Sequence, residues 1–149
     1  MLHSVVLAVH VVAGTAGLLL GPSVLRAALG DRRGTRPANA YLVAVTALTV
    51  SAAVLVALRP GDLWPFLLLA AGTLAAVLAA RRAVAVDRHV RLIGGSYISL
   101  VTALLVVSWG SLVAWVIPTV VGTLLVERAA SRLPPARTPS RTPTPSSRR

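Results

Sequence analysis

The chain has 149 residues, of which 56% are apolar and 13% charged, with a formal net charge of +11. This leaves too little polar surface to cover a water-soluble core and excludes an ordinary globular domain. With no Cys present, disulfides, thiolate metal sites, iron–sulfur clusters and covalent c-type haem are excluded as well.

The charges that exist are clustered, and the gaps between them mark the elements. Met1 to Leu25 contains no Asp, Glu, Lys or Arg. It also lacks the basic n-region of a signal peptide, so it predicts a permanent membrane span over about residues 3–28. Within it His10, Gly14, Gly17 and Gly21 recur at helical spacing and share one face with His3. Gly17 and Gly21 form a GxxxG motif that suits close approach of a neighbouring helix. Pro37 to Leu58 predicts a second span over 38–58. Arg59-Pro60-Gly61-Asp62 then reads as a tight turn, closed by an Arg to Asp pair, before a third span over 63–82.

The next uncharged run, Leu92 to Val126, has 35 residues. As one helix it would extend ~52 Å, too long for a hydrocarbon core of ~30 Å at any usual tilt. It therefore predicts two spans, 90–108 and 112–128, broken at Ser108-Trp109-Gly110-Ser111, the run's only cluster of turn formers. Gly95, Ser99 and Ala103 make a second small-residue stripe suited to helix packing. Asp31 and Asp87, each ahead of a predicted helix, read as N-caps. The fold class is thus all-α: a five-span bundle over 1–130, followed by an Arg-, Pro-, Ser- and Thr-rich tail over 131–149 that is expected to be disordered.

Charge sets the orientation, because cytoplasmic loops of membrane proteins carry an excess of Lys and Arg. With five spans, one side receives Arg26, Arg32, Arg33, Arg36, Arg81, Arg82, Arg88, Arg91, Arg128 and the arginines of the tail. The other side receives Arg59 alone. This predicts a multi-pass protein with its N-terminus outside and its C-terminus in the cytoplasm. Trp64, Trp109 and Trp115 fall near the outer interface, Tyr41 and Tyr97 near the inner one. All fifteen basic residues are Arg, which with the Ala, Val and Leu excess points to a GC-rich bacterial genome and hence to a bacterial inner membrane. Their position at span ends argues for lipid contact and against nucleic acid.

Offset by 56 residues, the first hairpin aligns with the second without a gap: Arg26-Ala27 on Arg82-Ala83, Asp31-Arg32 on Asp87-Arg88, Tyr41 on Tyr97, Val45-Thr46-Ala47-Leu48 on Val101-Thr102-Ala103-Leu104. Spans one and two and spans three and four therefore read as parallel repeats related by an axis along the membrane normal. Span five is an addition, and any site shared by the halves would lie at their interface.

His10 is the one ionisable side chain well inside a span, which makes it a functional candidate by default. Its simplest role is a hydrogen bond across the glycine seam. Haem ligation by His10, with His89 as a further candidate, is the redox alternative, but Phe66 stands at the repeat-related position of His10 and supplies no second ligand. All four acids, Asp31, Asp62, Asp87 and Glu127, lie at loops or span ends, which disfavours coupled transport and leaves a small transporter or channel subunit as a further alternative. No motif joins a nucleophile to a base, and none binds metal, so no enzyme activity and no cofactor are expected. The expected partners are the bilayer, and a second copy or another membrane protein.

The run Arg88-His89-Val90-Arg91-Leu92-Ile93-Gly94-Gly95-Ser96-Tyr97 resembles the signature of a bacterial membrane family catalogued as domain of unknown function 2306. That family often reads Arg-His-x-x-Trp-Met-x-Arg-Ser-Tyr here. Arg88, His89, Ser96 and Tyr97 keep its spacing, whereas Leu92, Ile93 and Gly95 replace Trp, Met and Arg. The span carrying His10 and the late Trp115-Val116-Ile117-Pro118 are also similar, so the resemblance covers about residues 5–127. It implies a membrane bundle and brings no reaction with it.

Overall fold

A computed structural model describes residues 1–32, 35–58 and 64–133. The turn proposed at Arg59 to Asp62 and the tail beyond Leu133 lie outside the described residues. Five helices follow one another: α1 (Leu2–Leu29), α2 (Arg36–Leu58), α3 (Trp64–Arg82), α4 (Val86–Trp109) and α5 (Leu112–Ala130). Each is long and apolar enough to cross a membrane.

The long uncharged run is broken where turn chemistry demands it. Gly110 takes the left-handed conformation, φ 59°, and its N–H closes α4 on the Val106 carbonyl. Ser111 then caps α5, its side chain accepting from the Ala114 N–H. At the other breaks the capping differs from the sequence expectation. Asp31 does not cap α2: it sits in the left-handed region just past α1, φ 51°. Its N–H bonds the Ala28 carbonyl while that of Arg32 bonds Ala27, the double closure of a Schellman ending. Thr35 supplies the cap for α2 instead, accepting from the Ala38 N–H at 3.4 Å. Asp87 lies inside the first turn of α4 behind Ala85, which makes no side-chain cap. There it favours the positive end of the helix dipole and pairs with Arg91 one turn on, at 3.7 Å.

Four helices close a ring. α1 packs on α2 and α4, and α3 packs on the same two from the opposite corner. Exchanging α1 with α3 and α2 with α4 maps the ring onto itself, which is the symmetry two parallel repeats require. α5 stands outside, packed on α4 and touching α3 where the Phe66 and Trp115 rings approach to 6.0 Å. Large apolar side chains such as Leu19, Val43, Leu68 and Leu124 are more than half exposed on the perimeter. Water would penalise such a surface, whereas lipid is its natural solvent.

Successive helices run antiparallel, so the bundle has two chemically distinct ends. Arg26, Arg36, Arg81, Arg82, Arg88, Arg91 and Arg128 gather at one, and Trp64, Trp109 and Trp115 at or near the other. The arginine half is solid: Val24, Tyr41, Val45, Val77, Ala80 and Ile93 form one buried cluster. Tyr41 belongs to this packing and is not an interfacial anchor, while the half-buried Tyr97 lays its ring against Gly21 of α1. Tyr41 is fully buried and its hydroxyl meets that of Ser96 at 3.0 Å. Ser96 donates its own proton to the Ile93 carbonyl, so Tyr41 is the donor to Ser96.

Candidate functional site

The tryptophan half of the ring is hollow. A chamber of about 340 Å³ is walled by all four ring helices, from His10 to Leu18 on α1, Leu48 to Val56 on α2, Phe66 to Thr73 on α3 and Ser99 to Val107 on α4. Four pairs of its lining residues are 56 apart in sequence: His10 and Phe66, Val11 and Leu67, Gly14 and Ala70, Leu48 and Leu104. The chamber therefore straddles the axis relating the two halves. Small residues create it. Gly14, Ala52, Ala70 and Ala103 line it, where larger side chains would take up its space.

Its polar groups are few, and their protons are spent. Thr15 donates to the Val11 carbonyl, Thr73 to Leu69 and Ser99 to Gly95, each one turn back on its own helix. Thr49 is shared between Val45 on its own helix and Ala70 on α3, at 2.9 and 3.2 Å. His10 reaches across to α2, where its Nδ1 lies 3.0 Å from Ser51 Oγ. Ser51 is buried and donates to the Leu48 carbonyl at 2.9 Å. With that proton on Leu48, the Ser51 oxygen is left to accept, which favours the tautomer with the hydrogen on His10 Nδ1 and Nε2 unprotonated; His10 also bonds the Leu48 backbone.

The predicted packing residues divide between neighbours. A Cβ on Gly14 would lie 3.4 Å from Leu48 of α2, and one on Gly17 would lie 3.2 Å from Leu100 of α4. At Gly21 a Cβ would overlap the Tyr97 ring, so this glycine admits the ring of α4. The second stripe is not a seam of close approach. A Cβ on Gly95 would meet nothing within 4 Å, while Ser99 and Ala103 face the chamber. The tight α4 to α5 contact falls on other glycines: Gly94, whose Cβ would overlap Val126, and Gly122, whose Cβ would come within 2.6 Å of Ile98.

His89 lies at the arginine end, buried, with Nδ1 2.7 Å from the Ala80 carbonyl. It donates there, to a carbonyl in the last turn of α3 that also accepts from the Ala83 N–H at 3.2 Å. In the antiparallel α1 and α4 pair, Gly17 meets Leu100 and Ala28 clusters with Val90. His10 and His89 are thus separated by ~27 Å along the bundle axis at ~1.5 Å per residue. They cannot ligate one haem. Among the described residues no group of three His, Cys, Asp or Glu could hold a metal ion.

The residues of the Arg88 to Tyr97 signature each act on a different neighbour of α4. His89 caps α3, Ser96 bonds Tyr41 of α2 and Tyr97 covers Gly21 of α1. Comparison with protein-family models, with curated proteins and with solved structures finds no match to this chain.

Proposed function

We propose that this multi-pass membrane protein is non-enzymatic and works by binding: its ring of four helices holds a small apolar guest in the tryptophan half of the bundle. The observation that carries this is the chamber, a partly open cleft lined by both hairpins, almost wholly apolar, and of the size at which ligand sites begin, ~300 Å³. No carboxylate lines it, and its hydroxyls are bonded to backbone, so it offers no nucleophile paired with a base. The packed layer around Tyr41, Val45 and Val77 closes it toward the arginine end, which favours a receptacle over a pore. The arginine asymmetry supports a bacterial inner membrane with the tryptophan end outside and the C-terminus cytoplasmic. The spacing of Arg88, His89, Ser96 and Tyr97 supports kinship with the domain of unknown function 2306 family, as a shared packing scheme around α4.

The test is uptake of naphthalene by the purified chain in lipid nanodiscs, measured against empty nanodiscs. Saturable binding near one molecule per chain, abolished by Ala103→Phe, is expected. Binding no greater than to empty discs would refute the proposal.

A partner interface is the second reading, favoured by α5. It is held mainly by α4 and exposes Val113, Val116, Ile117, Val120, Val121, Leu124 and Leu125 over half or more of their surface. Cross-linking between α5 helices of two copies would support it, and a monomer in mild detergent and in nanodiscs would count against a second copy.

A further inference from the structure

The chamber's chemistry narrows the guest further than its size. Its polar side chains present acceptors: the Thr and Ser protons are given to carbonyls, and His10 Nδ1 is paired with Ser51, which in the favoured tautomer leaves Nε2 to accept. Backbone N–H groups within the surrounding helices are consumed by helical bonds. Nε2 of His10 is the most basic acceptor in an otherwise apolar space. A guest that is itself only an acceptor, such as a ketone or quinone, would lose its hydrogen bonds to water or lipid headgroups and gain none. A guest with one O–H would keep a bond and meet apolar walls elsewhere.

Size and shape are set by the same walls. A cavity of roughly 150 Å³ accommodates one benzene, and this chamber has about 340 Å³, which is room for two fused rings. Phe66 occupies the repeat-related position on α3, diagonally across the ring from His10. Its ring, backed by Trp115, gives an aromatic guest a face or edge to pack on.

Resting on the binding role proposed above, we infer that the chamber takes a two-ring aromatic alcohol, its hydroxyl donating to His10 Nε2 and its ring packing toward Phe66. Membrane-dissolved hydroquinones and phenols belong to this chemical class, and their oxidised carbonyl forms do not.

Three probes of near-equal size separate the possibilities in nanodiscs: 2-naphthol, naphthalene and 1-tetralone. The wild-type chain is expected to bind 2-naphthol about tenfold tighter than naphthalene after correction for partition into empty discs, the worth of one net hydrogen bond. The tetralone should show no such gain. In His10→Leu the naphthol advantage should vanish while naphthalene still binds. Equal binding of naphthol and naphthalene by wild type, an equal gain for tetralone, or an advantage that survives His10→Leu would overturn the inference and leave the apolar receptacle standing. Failure of every probe to bind wild type above empty discs would overturn both.

Discussion

Gly94 and Gly95 stand side by side on α4, and alanine at each should act differently. At Gly94 the new methyl would overlap both branches of Val126 on α5. Valine in a helix has essentially one rotamer, so relief must come from movement of α5. Overpacking of this kind costs about 1–3 kcal/mol. At Gly95 the methyl would enter open space. The gain in helix propensity from Gly to Ala, up to ~1 kcal/mol, applies to both positions and cancels in the comparison. The difference between the two variants therefore isolates the α4 to α5 contact, with Gly94→Ala the less stable by about 1–3 kcal/mol. Reversible unfolding in mixed micelles, followed by tryptophan fluorescence, measures it. Equal stability within ~0.5 kcal/mol, or a greater loss at Gly95, would refute the assignment of Gly94 to the seam.

Other pairs give independent tests. Tyr41→Phe and Ser96→Ala should each destabilise the bundle, and their double-mutant cycle should return a coupling of about 0.6–1.7 kcal/mol, the range found for hydrogen bonds between membrane helices. Ser96→Ala should cost more than Tyr41→Phe, because it strands a buried donor; the reverse order would mean that Ser96 donates to Tyr41. Nitrogen NMR of His10 should find the proton on Nδ1, and Ser51→Ala should release that preference; a proton on Nε2 in the wild type would remove the acceptor the chamber is argued to present. Arg91 bonds Glu127 at 3.2 Å with both side chains about half exposed. Arg91→Ala should therefore cost no more than ~1 kcal/mol, and a larger loss would show that the arginine end is drier than its exposure implies. An alkaline phosphatase fused after Leu133 should be inactive, with a fluorescent protein at the same position bright; the opposite pair of results would invert the orientation.

The number of helices, their order and the break at Gly110 were legible in the residues because each depends on a one-dimensional quantity. A run without charge is too long for one bilayer crossing, or it is not, and a turn former interrupts it, or it does not. The face shared by His10, Gly14, Gly17 and Gly21 was legible for the same reason, since it follows from the helical repeat alone.

What lay across from each face was decided only by tertiary packing. In water an apolar stripe announces the side that turns inward, but these helices are Ala-, Val- and Leu-rich all round, because lipid and neighbouring helices are equally apolar surroundings. Periodicity is then silent on rotation about the helix axis. Gly94 and Gly95 differ by only ~100° about that axis, yet one meets Val126 and the other meets nothing. The same indeterminacy hid Ser51 as the partner of His10, the burial of Tyr41 and the filled and hollow halves of the ring, all of which require the register between helices. That register is fixed by contacts between residues some 40 to 55 positions apart, such as His10 with Ser51 and Tyr41 with Ser96.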